Sequence, residues 1–344
     1  MKPILANLCL LFVTLLVMLI GAEVLFRVIP RGTAPSDDRP KFYYAPEGAR
    51  DLRNGPYDTA KPASTYRIAV VGDSFSFAPY MQFDDTFAKR LERMLNLNLA
   101  APRVEVLNYG MPRLSTNHEV PLVEQALREG ADLVLLQITL NDAERKPVAP
   151  GAGLLRGRVG IGGELEFDSG LLSHWKFGAF VLQRIHAWSS RHAYQKYFFD
   201  LFEHKQGWAL FRDSLAKIRA KCRKADVPVV GIIFPLFEPT LVDYPFLPIH
   251  EKIATALSEL DYRVYDLLPS FRGMPTDRLQ VLPGVDRHPN EIAHRVAAES
   301  LYEYLAQEAL LPAESVIKVR VRNRISADLS TANEDVAYTP AATK

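Results

Sequence analysis

The chain has 344 residues, 48% of them hydrophobic and 24% charged, which is typical of a globular domain with a sizeable core. Its formal net charge of +1 provides no strong field to recruit nucleic acid, so no nucleic-acid partner is expected. It has two cysteines and no cluster of Cys and His with the spacing of zinc ligands, which excludes a disulfide scaffold and predicts neither a metal site nor a cofactor.

The chain begins with an apolar segment. Residues 4–22 carry no charge, and as a helix these 19 residues would span roughly 28 Å, about the thickness of a bilayer core. An uncleaved anchor and a cleaved signal peptide both fit this segment. Its length, and the lack of a clear small-x-small cleavage site after it, favour an anchor over residues 1–24 that holds the protein at the inner membrane.

The charges that flank this segment bear on its orientation. Lys2 and the amino terminus precede it, and a larger group of basic residues follows it. Counted plainly, the positive-inside rule would keep the following domain in the cytoplasm. The basic residues after the segment are Arg27, Arg31, Arg39 and Lys41.

Beyond the apolar segment, the pattern predicts a linker, one α/β domain and a tail. Residues 25–65 are rich in Pro, Gly, Asp and Arg and are interpreted as a linker that wraps onto the domain of residues 66–311. Within that domain, apolar strand-like runs alternate with helical patterns, which predicts a parallel sheet covered by helices on both faces. Residues 150–207 break the alternation and are interpreted as an insertion, and residues 312–344 as a polar, disordered tail. The strand-like runs are 67–72, 104–108, 132–138, 227–234 and 263–267, and the helical patterns lie at about 86–97, 118–129, 208–225, 249–260 and 290–310.

The insertion is rich in aromatic residues, and all three tryptophans fall within residues 170–211. One interpretation is a lid that stacks sugars or shelters an acyl chain. The other is a helical hairpin that packs these rings as its own core, and spacings such as Phe198 to Phe202 favour it.

The most informative motif is Gly-Asp-Ser at residues 72–74. The apolar run Ile68 to Val71 predicts a buried strand, Gly-Asp ends it, and Ser74 follows before a helical segment. This order places a hydroxyl at the carboxyl end of a strand, in the crevice where open α/β sheets bind ligands. Taken alone, Ser74 fits a helix N-cap. Ser76, two residues further on, is interpreted as a packing or capping residue.

Three further sites lie where the predicted sheet would bring them to the same crevice. Gly110 follows the second strand, and a glycine there lets a backbone N–H approach a ligand closely. Asn141 follows the third strand. Asp286 and His288 lie two residues apart before the last helix, and therefore on one face of an extended segment.

Together these residues have the parts of an acyl-transfer site. His288 is suited to take the proton of the Ser74 hydroxyl, and Asp286 to hold the imidazole. The N–H groups of Ser74 and Gly110 and the side-chain amide of Asn141 would donate hydrogen bonds to the oxyanion of the tetrahedral intermediate.

These motifs resemble the four sequence blocks of the SGNH hydrolases, also called GDSL-type esterases. Ser74 in GDSF, Gly110, Asn141 in LND and the Asp286-x-His288-Pro block occur in the family's order, over roughly residues 66–310. The resemblance implies a three-layer α/β/α fold of flavodoxin type with a parallel five-stranded sheet. It also implies that Ser74 is the nucleophile, His288 the base and Asp286 its partner, with Gly110 and Asn141 completing the oxyanion hole. The single residue between Asp286 and His288 resembles the membrane-associated, polysaccharide-acetylating branch of the family.

The resemblance implies a serine esterase that removes an acyl group, above all acetyl, from an envelope glycan or a small ester. An O-acyltransferase, in which a sugar hydroxyl replaces water, would use the same acyl-serine. A non-catalytic glycan-binding module is the third alternative, and the intact Ser74/His288 pair argues against it. Anchored members of the family mostly act outside the cytoplasm, so the catalytic domain is expected in the periplasm, against the count of flanking charges.

Overall fold

The computed structural model describes residues 2–28, 54, 57–79, 81–98, 102–144, 158–159, 165–166, 175–283 and 286–316. Most of the predicted linker, most of the predicted tail and the first part of the predicted insertion lie outside the described residues.

The α-helices are α1 (Lys2–Val28), α2 (Ser74–Phe77), α3 (Phe87–Leu95), α4 (Thr116–Arg128), α5 (Lys176–Glu203), α6 (Lys205–Lys224), α7 (Leu247–Glu259), α8 (Leu268–Phe271) and α9 (Glu291–Gln307). The strands are β1 (Thr65–Val71), β2 (Arg103–Asn108), β3 (Leu133–Ile138), β4 (Arg158–Val159), β5 (Leu165–Glu166), β6 (Val229–Ile233), β7 (Arg263–Asp266), β8 (Gln280–Leu282) and β9 (Asp286–Pro289).

Five strands form one parallel sheet in the order β2-β1-β3-β6-β7. This is the doubly wound order of flavodoxin-like folds, in which ligands bind at the carboxyl ends of the strands near β1. Every residue of β3 is buried, as are Ile68 to Val71 of β1, because helices cover both faces of the sheet. The predicted strands and helical patterns are all present, with ends shifted by a few residues.

Two helical layers enclose the sheet. The chain passes from β1 to β2 in one direction along the sheet and from β2 through β3 and β6 to β7 in the other. Because such crossovers are right-handed, the helices of the two directions lie on opposite faces. Accordingly α3 packs with α9, and α4 packs with α6. The predicted three-layer α/β/α fold is confirmed.

The N-terminal helix packs against the long helix α5. Among the described residues, one stretch is long and apolar enough to cross a membrane: Ala6–Leu25 of α1, which has a mean hydropathy of 2.7 and is not buried in the fold. The Phe177 N–H in the first turn of α5 donates to Glu23 Oε2 at 2.8 Å. This bond satisfies one of the N–H groups that a helix start leaves without a partner.

The aromatic rings of α5 and α6 pack on one another and on the segment before α7. Phe198 lies edge-on to Phe246, with ring centroids 5.4 Å apart, and Trp208 stacks on Phe211 at 5.6 Å. Phe202 is 2% exposed. These rings pack on one another and also join the core that contains the sheet, so a hairpin with an aromatic core of its own stays a prediction. The side chain of Trp188 lies outside the described part of the chain.

Candidate active site

Ser74 lies directly beyond the carboxyl end of β1. Asp73 caps α2, because its Oδ1 accepts the N–H of Phe75 at 2.9 Å. Ser74 is therefore the first residue of the helix, and its interpretation as a helix N-cap is wrong. As the first residue, Ser74 has an N–H with no acceptor inside the helix, and its side chain is only partly buried.

His288 lies next to this serine. The Nε2 atom of His288 is 2.9 Å from Ser74 Oγ, although 214 positions separate the two residues in the chain. The ring of Phe75 packs against the imidazole, with centroids 5.5 Å apart. The structure thus brings together the two residues that the sequence predicts as nucleophile and base, at a distance suited to proton transfer.

The junction of β9 with α9 holds His288 in place. Asn290 caps α9, its Oδ1 accepting the N–H of Ile292 at 3.0 Å. Its Nδ2 donates to the carbonyl oxygens of Arg278 and Gln280 at 2.9 and 3.1 Å. One buried amide therefore ties the strand that carries the base to β8 and to the last helix.

Asp286 is the first residue of β9 and lies two positions before His288 on the same strand. Its side chain falls outside the described part of the chain. Its role as the partner of the imidazole stays a prediction.

Asn141 lies in a short 3-10 turn, Leu140–Ala143, that follows β3. The Thr139 hydroxyl donates to Asn141 Oδ1, and the Nδ2 end of this amide lies outside that bond. The contribution of Asn141 to an oxyanion hole stays a prediction. The same hydroxyl lies 2.8 Å from Asp73 Oδ2, and a single hydroxyl proton serves one of these acceptors at a time. Thr139 thus links the turn of Asn141 to the residue before the nucleophile.

Gly110 lies after β2, against the nucleophile helix. A Cβ at this position would lie 2.6 Å from the backbone nitrogen of Phe77 and 2.7 Å from Ser76 Cβ, so glycine is required for this close packing. The Gly110 N–H donates to Asn108 Oδ1 at 2.9 Å. Its contribution to an oxyanion hole stays a prediction.

Two buried amides that the sequence analysis did not single out support the nucleophile loop. Gln137 Oε1 accepts the Ser76 hydroxyl at 2.8 Å and the Asp73 N–H at 3.3 Å. Asn108 Nδ2 donates to the carbonyl oxygen of Ser76 at 2.7 Å. Gln137 interrupts an otherwise apolar strand (LVLLQI), and this is the signal by which the sequence could have revealed it. The interpretation of Ser76 as a packing residue is confirmed.

Three buried carboxyl groups lie behind the nucleophile. Asp73, Glu119 and Asp142 are each at most 2% exposed, and none forms an ion pair within the described residues. Burial raises the pKa of Glu119 well above its usual range, and the charge of Asp73 raises it further. Burial likewise raises the pKa of Asp142, with the charges of Glu119 and Asp73 adding to it.

A second histidine lies close to His288. His294 on α9 is fully buried, and its Nδ1 accepts the N–H of Phe87 at 3.1 Å. Burial, with smaller effects of Arg90 and His288, lowers the pKa of His294 to about 3. This imidazole is neutral at physiological pH and has a structural role between α3 and α9.

Arg287, between Asp286 and His288 in the chain, lies beside the aromatic helix. Its guanidinium pairs with Glu238, which is 2% exposed, and lies 5.2 Å from the ring centre of Tyr194. These contacts connect the strand that carries the base to α5.

No protein-family model and no curated protein matches this chain. Solved structures match its fold. A two-domain esterase active on acetylated mannans is 12% identical with a TM-score of 0.42, and the match covers 71% of this chain but 49%, about half, of that chain. The acetylxylan esterase Axe2 from Geobacillus stearothermophilus, as a catalytic mutant, is 11% identical with a TM-score of 0.44, covering 69% of this chain and 93% of that chain.

A third similar structure is a member of the lipolytic G-D-S-L family from Veillonella parvula. It is 13% identical with a TM-score of 0.37, and the match covers 70% of this chain and 97% of that chain. Because the identities and the TM-scores are this low, the chemistry has to be derived from Ser74, His288 and the groups around them.

Proposed function

We propose that the protein is a serine esterase that acts through an acyl-serine intermediate. The contact of 2.9 Å between His288 Nε2 and Ser74 Oγ carries this proposal, because a serine hydroxyl becomes a nucleophile when a base accepts its proton. The partly exposed hydroxyl at the carboxyl edge of the sheet supports it.

The reaction begins when Ser74 Oγ attacks the ester carbonyl carbon and its proton passes to His288 Nε2. The oxyanion that forms accepts hydrogen bonds from the Ser74 N–H and from Asn141 Nδ2. His288 then gives the proton to the leaving alcohol, which leaves the acyl group on Ser74. Water repeats the sequence, with His288 again as base, and releases the acid.

Labelling with a fluorophosphonate tests the nucleophile. We expect the wild type to be labelled and Ser74→Ala to take no label, while His288→Ala reacts at least about 10³-fold more slowly. Ser76→Ala is the matched control, since that hydroxyl is buried and bonded to Gln137, and we expect it to keep the label. Labelling of Ser74→Ala at the wild-type rate would reject the proposal.

The substrate that we propose is an acyl ester, above all an acetyl ester, of an envelope glycan or of a small alcohol, with water as the acceptor. The resemblance of the Asp286-x-His288 block to the polysaccharide-acetylating branch supports the acetyl group and the glycan, but not the choice of water as the acceptor. Hydrolysis of p-nitrophenyl acetate, measured with and without oligosaccharide acceptors, tests it. Acetylated oligosaccharide as the main product would assign the acyl-serine to a transferase instead.

We further propose that α1 stays attached as a membrane anchor and that the catalytic domain lies in the periplasm. Glu23, near the end of the apolar stretch, binds the start of α5, and this contact supports an uncleaved helix. Alkaline phosphatase fused after residue 60 tests the orientation: we expect activity, and an inactive fusion would place the domain in the cytoplasm.

A further inference from the structure

The helix α5 contacts two segments of the candidate active site, one through Tyr194 and one through Tyr197. The two tyrosines lie three positions apart, so they are neighbours on one face of the helix. One segment is the turn after β3 that carries Asn141, and the other is β9, which carries His288. The helix therefore joins these two segments from outside the sheet.

Tyr197 binds the turn of Asn141. Its hydroxyl donates to Glu144 Oε1 at 2.6 Å, and the Glu144 N–H donates to the carbonyl oxygen of Asn141 at 2.9 Å. Burial and the bond to Glu144 raise the pKa of Tyr197, so the hydroxyl keeps the proton that it donates. The next helix, α6, packs on the same turn, because a Cβ on Gly207 would lie 3.3 Å from the carbonyl oxygen of Ala143. The turn is therefore held by the two helices as well as by β3.

Tyr194 contacts the strand of the base through Arg287. The Arg287 guanidinium lies 5.2 Å from the centre of the Tyr194 ring, within the range of a cation–π contact, and pairs with the buried Glu238. The Tyr194 ring packs edge-on against Phe198, with centroids 4.9 Å apart. Because Arg287 directly precedes His288 in β9, the position of its guanidinium constrains the strand that carries the imidazole.

These contacts form a closed ring that includes the nucleophile. His288 Nε2 lies 2.9 Å from Ser74 Oγ, and the hydroxyl of Thr139, at the start of the turn, lies 2.8 Å from Asp73 Oδ2. The nucleophile loop thus links β9 to the turn on one side, and α5 links them on the other. Such a ring fixes the relative positions of its members, and a displacement of about 1 Å in an active site can cost about 100-fold in rate.

We propose that α5 positions the catalytic groups: Tyr197 holds the turn of Asn141, and Tyr194 holds the strand of the base. The two tyrosines are positioning residues, because they act through Glu144 and Arg287 and not on the substrate. The proposal rests on the proposed function in taking His288 as the base and the amide of the turn as the oxyanion donor. Loss of either tyrosine should therefore lower kcat and leave KM close to wild type.

Tyr197→Phe tests the contact with the turn. It keeps the ring and removes the hydroxyl, and it should lower kcat for p-nitrophenyl acetate at least about 10-fold, with KM within about 2-fold of wild type. Glu144→Ala should have the same effect. The double variant should lose no more than either single one, because all three lack the same hydrogen bond. Losses of kcat that add up in the double variant would overturn this role.

Tyr66→Phe is the matched control. The Tyr66 hydroxyl donates to the carbonyl oxygen of Leu310 at 2.8 Å, at the amino edge of the sheet. Its loss should lower the urea midpoint about as much as Tyr197→Phe does, but leave kcat unchanged. A loss of kcat that is equal in the two variants would assign Tyr197 to stability alone and overturn the proposal.

Two substitutions of Tyr194 test the contact with the base strand. Tyr194→Leu removes the aromatic face beside Arg287 and should lower kcat at least about 10-fold, whereas Tyr194→Phe keeps this face and should stay within about 3-fold of wild type. Phe199→Leu is the matched control, because Phe199 packs from the same helix on Phe246, with centroids 5.9 Å apart, and it should keep kcat. An equal loss in Phe199→Leu, or in Tyr194→Phe, would overturn the role of the Tyr194 ring.

The side-chain amide of Asn141 gives a measurement that does not need esterase activity. In protein with ¹⁵N-labelled asparagine, the Nδ2 signal of Asn141 is the one absent from Asn141→Ala. We expect Tyr197→Phe to shift this signal and Tyr66→Phe to leave it in place, and Glu144→Ala decides by the same signal if Tyr197→Phe does not fold. An unmoved signal would refute the positioning of the turn. A shifted signal in a protein that cleaves no ester would reject the proposed function and leave the positioning intact.

Discussion

The two edges of the sheet bury charge in opposite ways. At the amino edge, Arg67 is fully buried, and its guanidinium binds Glu105 at 2.8 Å and the carbonyl oxygen of Asp58 at 2.8 Å. At the carboxyl edge, the carboxyl groups of Glu119 and Asp142 are equally buried and have no cation among the described residues. Charge at the amino edge is neutralised in place by Glu105, whereas these two carboxyl groups behind Ser74 have no cation within the described residues.

This difference separates residues that are expected to affect stability from residues that are expected to affect the reaction. A paired buried charge contributes to a unique fold and is costly to break, but it leaves no group free to react. Unpaired polar groups cluster where the protein holds a serine, an imidazole and an amide ready for a substrate. We expect substitutions at the amino edge to act on the free energy of unfolding, and substitutions at the carboxyl edge to act on activity.

The largest expected effect is at His288. His288→Ala should lower kcat/KM for an acetyl ester by about 10⁴-fold, because Ser74 then has no base. The free energy of unfolding should stay within about 1 kcal/mol of wild type, since the imidazole is only partly buried. Ester hydrolysis measures kcat/KM, and urea unfolding measures the free energy of unfolding. A loss of stability larger than this limit would contradict the division between the two edges.

Arg67→Met tests the other edge. It leaves Glu105 buried without a partner and should lower the free energy of unfolding by about 3–5 kcal/mol, while the folded fraction keeps its kcat. The double variant Arg67→Met/Glu105→Leu should recover most of the loss, because no charge is then left unpaired. A double variant as unstable as the single one would show that the ion pair is not the cause.

Asn141→Ala should lower kcat by about 10²–10³-fold and leave KM close to wild type, because the amide would act on the oxyanion rather than on the bound ester. Thermal unfolding serves as the control for the fold. A rise in KM with unchanged kcat would instead assign Asn141 to substrate binding.

Gly110→Ala should destabilise the protein by about 1–3 kcal/mol and also slow labelling of Ser74. Its Cβ would meet backbone atoms of the nucleophile helix at 2.6 Å, and these cannot move without shifting Ser74. Urea unfolding and fluorophosphonate labelling should change together. Slower labelling without any loss of stability would point to the Gly110 N–H as an oxyanion donor.

The effect that is smallest at neutral pH is the pH dependence that His294 confers. The pKa of this residue is about 3 in the folded protein and near 6.5 in an unfolded chain, so below pH 6.5 the unfolded state binds one more proton. The free energy of unfolding should therefore fall by up to about 1.4 kcal/mol per pH unit from pH 6.5 towards pH 3. For His294→Gln, the free energy of unfolding plotted against pH should have a slope that is smaller by the contribution of one proton. His204 is exposed, and His204→Gln is the control that should match wild type.

The fold was predictable because apolar strands alternate with helical patterns, and parallel strands with helical crossovers leave few topologies. The pairing of Ser74 with His288 was predictable as well, since both belong to recognisable motifs. The sequence analysis missed Glu119 and Gln137. Gln137 left a local signal, because it interrupts an otherwise apolar strand. A buried glutamate on a helix follows no local rule, because the groups that bury it lie on other elements.

The sequence by itself determined the order of the sheet elements, the apolar N-terminal helix and the residues of the candidate site. Those features depend on periodicity and on short motifs, which are local in the chain. Only the tertiary structure decided that Asp73 rather than Ser74 caps the helix, that Gly110 is needed to pack against α2, and that Glu119 and Asp142 are buried. Each of these features depends on contacts between elements that are far apart in sequence. Only the packing of the folded chain determines those contacts.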